Sequence, residues 1–272
     1  MNPLSPPLDA RSRHLRRLIV DALKGGGRGH LGSSMSMVEI LRVLYDTTLR
    51  YRATDPSWDE RDRFILSKGH GCLALYAVLA DKGFFPVPEL LGFCRADSRL
   101  GGHPERGKVP GVEASTGALG HGLPIGVGVA LALRMKGNDA RVIVLTGDGE
   151  INEGSNWEAA MSAAKHRLAN LTVMIDYNKL QSYGPTREVL DLEPLTDKWR
   201  AFGFTVEEVD GHDVASLERV LESLPLSSST PSAIICHTVK GKGFPFAEGN
   251  PDWHHKSGLT ETDIQAMYEC LQ

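Results

Sequence analysis

The sequence predicts an α/β fold: a doubly wound parallel sheet with helices on both faces. Three observations carry that prediction. Short β-rich runs, "RVIVLTGDG", "LTVMIDYN", "FTVEEVDG" and "SAIICHTVKG", are separated by helical segments such as "SNWEAAMSAAKHRL" and "DVASLERVLESL", the order expected of βαβ units. The first two runs read as buried strands, which a sheet covered on both faces requires. Both of those strands also end in oxygen-bearing side chains, Asp148 and Asn178, and in such sheets ligands sit beyond the carboxyl ends of the strands.

The elements follow in order. Residues 1–9 read as a loose arm, and residues 10–272 as one large α/β domain, a size that buries most of its unfolded surface. After the helical-looking "HLRRLIVDALKGG", the stretch "SMVEILRVLYDTTL" places Val38, Leu41 and Tyr45 at helical spacing. Ser36 is its expected N-cap, with Glu39 three residues on. "GCLALYAVLADKG" gives a helix stopped at Gly83, and "GLPIGVGVALALRMKG" an apolar helix stopped near Gly137, each glycine serving as a C-terminal signal. "PLSSSTPS" around Ser228 reads as a surface loop.

Composition narrows the function classes. The 272 residues are 41% hydrophobic and 24% charged, with no apolar run near the roughly 18 residues that cross a bilayer. No secretory signal is visible at the start, so the cytoplasm is the expected compartment. A net charge of −4 without a basic stripe gives no support for nucleic-acid binding. Cys72, Cys94, Cys236 and Cys270 form no CxxC pair and read as reduced thiols.

Two glycine motifs compete for attention. "GRGHLG", residues 27–32, satisfies GxGxxG literally but follows a helical segment instead of a strand, so a dinucleotide site is declined. "GDGEINEG" lies directly between a strand and an amphipathic helix, where motif and context agree. Gly147 and Gly149 allow close approach of backbone to a phosphate, and helix N-terminal amides favour negative charge. Asp148 adds a hard oxygen ligand, Asn178 a second, and the backbone carbonyl of Leu180 a third, a set that suits Mg²⁺ shared with a ligand's phosphates. The plain alternative is an Asp-Gly turn and an Asn helix cap.

A GDG turn followed by a post-strand Asn is similar to the thiamine-diphosphate motif. With "GRGHLGSSMSMVEIL", "DRFILSKGHGCLALYAVL", "LGGHPE", "STGALGHGLPIGVGVALAL" and "GDGEINEGSNWEAAMSAA" in this order, the chain resembles the cofactor-diphosphate portion of the transketolase family over nearly its whole length. The resemblance implies thiamine diphosphate and Mg²⁺ as cofactors. It implies Asp148, Asn178 and the Leu180 carbonyl as metal ligands, and His70, Gly147 and Gly149 near the diphosphate. Gly117, Ala118 and Leu119 would meet the aminopyrimidine. His30, His103 and His254 would act on substrate, His254 also lining the cofactor; in "DWHHKSG" the choice between His254 and His255 stays open. Glu153 matches a Glu that links two active sites; its ordinary alternative is a first-turn helix Glu. His121 stands where many relatives carry Gln and is left out of the catalytic set, and His14, His166, His212 and His237 are taken as structural or surface residues.

Full-length relatives add a middle domain whose Glu activates the cofactor's pyrimidine. The resemblance therefore implies the N-terminal subunit of a split transketolase, inactive without a separate C-terminal subunit and paired with it in an α2β2 assembly. The implied reaction moves a two-carbon ketol unit from a ketose phosphate to an aldose acceptor. The rival readings are a thiamine-dependent subunit of a 2-oxo-acid dehydrogenase or of a specialised biosynthetic carboligase, and a non-catalytic cofactor-binding subunit; "LSKGHG" and "GGHPE" side with transketolase, and the intact His30, His70 and His103 with catalysis.

Overall fold

The computed structural model describes residues 7–272. The chain begins with α1 (Ala10–Gly26), β1 (Arg28–Gly29), α2 (Leu31–Met35), α3 (Val38–Val43), β2 (Arg63–Leu66) and α4 (Cys72–Asp81). It continues through α5 (Gly122–Met135), β3 (Val142–Gly147), α6 (Gly154–Lys165), β4 (Leu171–Tyr177), α7 (Thr186–Val189) and α8 (Leu195–Ala201). β5 (Thr205–Asp210), α9 (Val214–Glu222), β6 (Ser232–His237), β7 (Lys256–Ser257) and α10 (Glu261–Glu269) complete it.

Five strands form one parallel sheet in the order β2-β3-β4-β6-β5. Its two faces divide the side chains by strand periodicity. Ile143 and Leu145 of β3 join the core built with α1, α3, α4 and α9, whereas Val142 and Val144 join the one built with α5, α6 and α8. Full burial of each such side chain contributes roughly 1.5–3 kcal/mol, so both faces resist slippage of the register. α5 and α6 carry the chain from β2 through β3 to β4; α8 then takes it to the edge strand β5, and α9 returns on the opposite face to set β6 between β4 and β5. The doubly wound parallel sheet expected from the sequence is the sheet observed.

The helix stops fall where the glycines predicted them. Gly83 and Gly137 adopt φ of 81° and 67°, the left-handed conformation that ends a helix at little cost only for glycine. The expected N-cap at Ser36 is not formed: its hydroxyl turns inward to Asp176 Oδ2 at 2.6 Å, and the helix starts at Val38. Glu39 likewise points into the core at Arg16. Buried charge outcompeted a cap at the surface. Of the arm expected over residues 1–9, residues 1–6 lie outside the described part. Leu8 packs on the core and Asp9 caps α1 through Ser12 N–H at 2.8 Å while pairing with Arg42.

A second, two-stranded sheet positions the site. β1 pairs antiparallel with β7, Arg28 opposite Ser257 and Gly29 opposite Lys256. His30, which follows β1, and His254, two residues before β7, are thereby brought together across more than two hundred positions of sequence.

Candidate functional site

β3 and β4 lie side by side with Gly147 in register with Asp176, so Asp148 and Asn178 leave the sheet at the same edge. Asp148 is 3% exposed. Its Oδ1 accepts from Gly149 N–H at 2.7 Å and its Oδ2 from Lys179 N–H at 2.5 Å. Burial, and then the nearby Asp176 carboxylate, push its pKa up to about 6. Asn178 Oδ1 accepts from Leu180 N–H at 3.2 Å, and the Leu180 carbonyl accepts from Lys240 Nζ at 2.7 Å. The turn after Gly147 departs from expectation: a short 3₁₀ turn over Gly149–Asn152 precedes α6, which begins only at Gly154.

These groups floor an open pocket of about 230 Å³ lined also by His30, His70, His103, Gly117, Leu119 and His254. The ring centroid of His30 lies 5.4 Å from His70, 6.3 Å from His103 and 5.4 Å from His254. His103 stands outermost and exposed, its ring packed so closely on Gly117 that a Cβ there would come within 2.8 Å of it; Gly117 has φ 141°. His255 is also near His30, at 4.6 Å, but it is exposed and does not line the pocket, whereas His254 does.

Burial, reinforced by neighbouring His and Lys side chains, lowers His30 to about 4 and His254 to about 3. His70 is depressed well below its ordinary value by burial and by Lys68, and burial lowers His103. At pH 7 the cluster is neutral, so each ring offers one N–H donor and one acceptor nitrogen.

Sequence reasoning missed six pocket residues, Ser33 and Ser182 along with Lys68, Glu150, Gln181 and Lys240. Lys68 is buried in an ion pair with Asp176 and donates to Ser33 O at 3.0 Å. Lys240 is 2% exposed, and burial with Lys68 close by lowers it to about 8. Glu150 is buried: its Oε1 accepts from Ser67 Oγ at 2.5 Å and Gly120 N–H at 3.0 Å, its Oε2 from Gly147 N–H at 3.0 Å, tying three loops of the pocket together. Gln181 lies against Gly149, where a Cβ would come within 2.9 Å of its side chain. Lys68 and Glu150 sit inside quoted motifs, but nothing in their spacing marks them, because only the fold turns them inward. Two predicted residues are placed differently: Ala118 is exposed and does not line the pocket, and Glu153 is exposed just before α6, outside the pocket of this chain. His121, left out of the predicted set, is exposed with Nδ1 3.0 Å from Leu119 O.

The donor set discriminates among ligands. Among the described residues no three His, Cys, Asp or Glu side chains converge on a metal position. A carboxylate, an amide oxygen and a carbonyl fit Mg²⁺ completed by phosphate oxygens. Two buried polar atoms of the pocket, Gln181 Nε2 and His254 Nδ1, have no protein partner, and two lysines supply positive charge. A diphosphate carrying a divalent cation answers each of these needs.

The family profile described as "Transketolase, thiamine diphosphate binding domain" matches residues 9–271. The chain belongs to the transketolase family. It is 46% identical to one subunit of the apulose-4-phosphate transketolase of Actinobacillus succinogenes, covering 94% of each chain. It is 41% identical to the 6-deoxy-6-sulfo-D-fructose transketolase subunit SqwG of a Clostridium species, over 97% of this chain and 96% of that one. Among solved structures, the transketolase from Leishmania mexicana superposes with a TM-score of 0.89 at 33% identity, over 98% of this chain and 42% of that one. The chain thus spans nearly all of these subunit relatives and less than half of the solved transketolase.

Proposed function

We propose that this transketolase-family chain is the cofactor-binding subunit of a two-component transketolase. Joined in an α2β2 assembly to a separate subunit that carries the pyrimidine-binding domain, it transfers a two-carbon ketol unit from a ketose phosphate to an aldose acceptor. The observation that carries the reading is the pairing of Asp148 and Asn178 at adjacent strand ends beneath a cluster of neutral histidines. Relatives of matching length that are named as transketolase subunits support the division of labour. So does apolar surface left on the chain: Ile125 and Met135 of α5 are 40% and 80% exposed, and Met161 of α6 is 56% exposed, a face suited to a partner subunit. No helix among the described residues is long and apolar enough to cross a membrane, in keeping with a cytoplasmic enzyme.

Bound thiamine diphosphate supplies the carbanion stabilisation that cleavage of a ketose carbon–carbon bond requires. The chain's own residues do the rest. Asp148, Asn178 and the Leu180 carbonyl hold Mg²⁺, while His70 and the backbone at Gly147 and Gly149 hold the diphosphate. Gly117, Ala118 and Leu119 meet the pyrimidine with backbone groups. His30, His103 and His254 orient substrate hydroxyls and pass protons to and from their oxygens, a role open to imidazoles that carry both a donor and an acceptor. Glu153, exposed just before α6, acts only across the assembled interface, linking one active site to another.

Purified alone, the chain is expected to show no ketol transfer, and mixing with its partner subunit to restore it; turnover by the chain alone would refute the two-component reading. In the assembled enzyme, His103→Ala is expected to lower kcat by about 10²–10⁴-fold, the usual worth of a positioned acid or base. Thiamine-diphosphate affinity measured by calorimetry should stay within about threefold, because His103 lies at the mouth of the pocket; equal losses in kcat and affinity would place it in cofactor binding instead.

A further inference from the structure

Outside the pocket, one buried polar network ends on a backbone amide beside it. Arg16 of α1 donates to Glu39 Oε1 at 2.5 Å and to Oε2 at 3.0 Å, and its other N–H groups reach the carbonyls of Ser12, Met35 and Lys242. Glu39 Oε2 lies 2.9 Å from Nδ1 of His212, and Nε2 of His212 accepts the Val239 N–H at 2.8 Å. This last bond fixes the tautomer: Nε2 carries no proton, so Nδ1–H donates to Glu39. Arg16, Glu39 and His212 are all buried.

Such a network is weak as a source of stability, because well-packed apolar side chains of similar volume often do as well; its better-attested use is to fix one arrangement. The arrangement here is that of the turn after β6. Val239 immediately precedes Lys240, whose Nζ reaches the Leu180 carbonyl at 2.7 Å and that of Gln181 at 3.5 Å. The other side of the turn is held by Gly241 N–H on Gly32 O at 3.0 Å. A lysine is a point charge on a flexible stem, so its place depends on where its backbone is pinned.

We propose that His212 is a positioning residue for the pocket: through the Val239 amide it sets where the Lys240 ammonium meets the Leu180–Gln181 segment. The proposal rests on the reading of the pocket as a thiamine-diphosphate site. It extends the network's influence from α1 and α3 to the segment that offers the metal a carbonyl.

The test is a double-mutant cycle on the enzyme assembled with its partner subunit, with thiamine diphosphate and Mg²⁺ as the probe and calorimetric Kd as the readout, thermal unfolding being followed in parallel. His212→Leu is expected to raise Kd about tenfold, Lys240→Met to raise it by a similar factor, and the double variant to be no worse than about twofold beyond Lys240→Met, since residues acting through one another are not additive. His212→Gln, whose amide supplies one donor and one acceptor, should stay within about threefold of wild type. Factors that multiply in the double variant, or an unchanged Kd in His212→Leu, would overturn the positioning role. If His212→Leu does not fold, His212→Gln decides: a loss beyond about tenfold in a variant that unfolds at the wild-type temperature overturns the hydrogen-bond account. Failure of the wild-type enzyme to bind thiamine diphosphate would instead overturn the reading of the pocket, and the target of His212 with it.

Discussion

Asp148→Ala should abolish magnesium-dependent binding of thiamine diphosphate, weakening it by at least about 100-fold, since even changes to groups that only support the ligands of a metal cost about 10–100-fold. The variant should still fold. It loses two accepted hydrogen bonds, from Gly149 and Lys179, worth about 1–3 kcal/mol together, but it also removes a buried carboxylate that lies beside Asp176. The same geometry gives a pH dependence with a definite sign. Because burial raises the Asp148 pKa to about 6, the cofactor-free site is protonated below that value and must release a proton to take the metal. Apparent Mg²⁺ affinity should therefore be flat above about pH 7 and fall by up to about tenfold per unit below pH 6. Calorimetry in buffers of different ionisation enthalpy would detect the proton; unchanged cofactor affinity in Asp148→Ala would remove this residue from the metal site.

The largest effect on folding is expected at Asp176, in the middle of the sheet and fully buried. It pairs with Lys68 and accepts from Ser36 and Thr238. Asp176→Ala leaves the Lys68 ammonium buried with only the Ser33 carbonyl, and breaking such a pair from one side typically costs about 3–5 kcal/mol. Against a total stability of about 5–15 kcal/mol, this is a large share, visible as a shift in the denaturant midpoint. Replacing both partners by apolar residues, Lys68→Met with Asp176→Leu, should recover most of the loss, because the cost lies in the stranded charge. Although burial alone would raise it, the charge of Lys68 holds the Asp176 carboxyl below its ordinary range. Its contribution is therefore complete above the unfolded-state value of about 4 and fades as pH falls below it. A single variant no more damaging than the double one would show that the pair is not coupled.

Much of the site was legible before any coordinates. Asp148, Asn178, His30, His70 and His103 stand in local motifs whose spacing carries their chemistry, and all five line the pocket. The choice between His254 and His255 was not legible. Adjacent residues have the same sequence context, and only the pairing of β7 with β1 turns one ring into the pocket and leaves the other at the surface. Glu150 reads as one acid among several in "GDGEINEG", yet it, and not Glu153, is the buried glutamate, because the 3₁₀ turn after Asp148 points it back at Ser67 and Gly120. Ser36 shows the reverse: a good cap by pattern is drawn inward by a buried carboxylate 140 positions away.

By itself, the sequence determined the parallel α/β class, the positions of the helix stops and the pair of oxygen-bearing side chains at two strand ends. These follow from local periodicity, glycine conformation and residues that are neighbours in the chain. The tertiary structure alone decided the strand order, the neutral state of the histidine cluster, and the entry of Lys68, Glu150, Gln181 and Lys240 into the pocket. Burial and long-range charge set those properties, and both depend on segments that meet only when the chain folds.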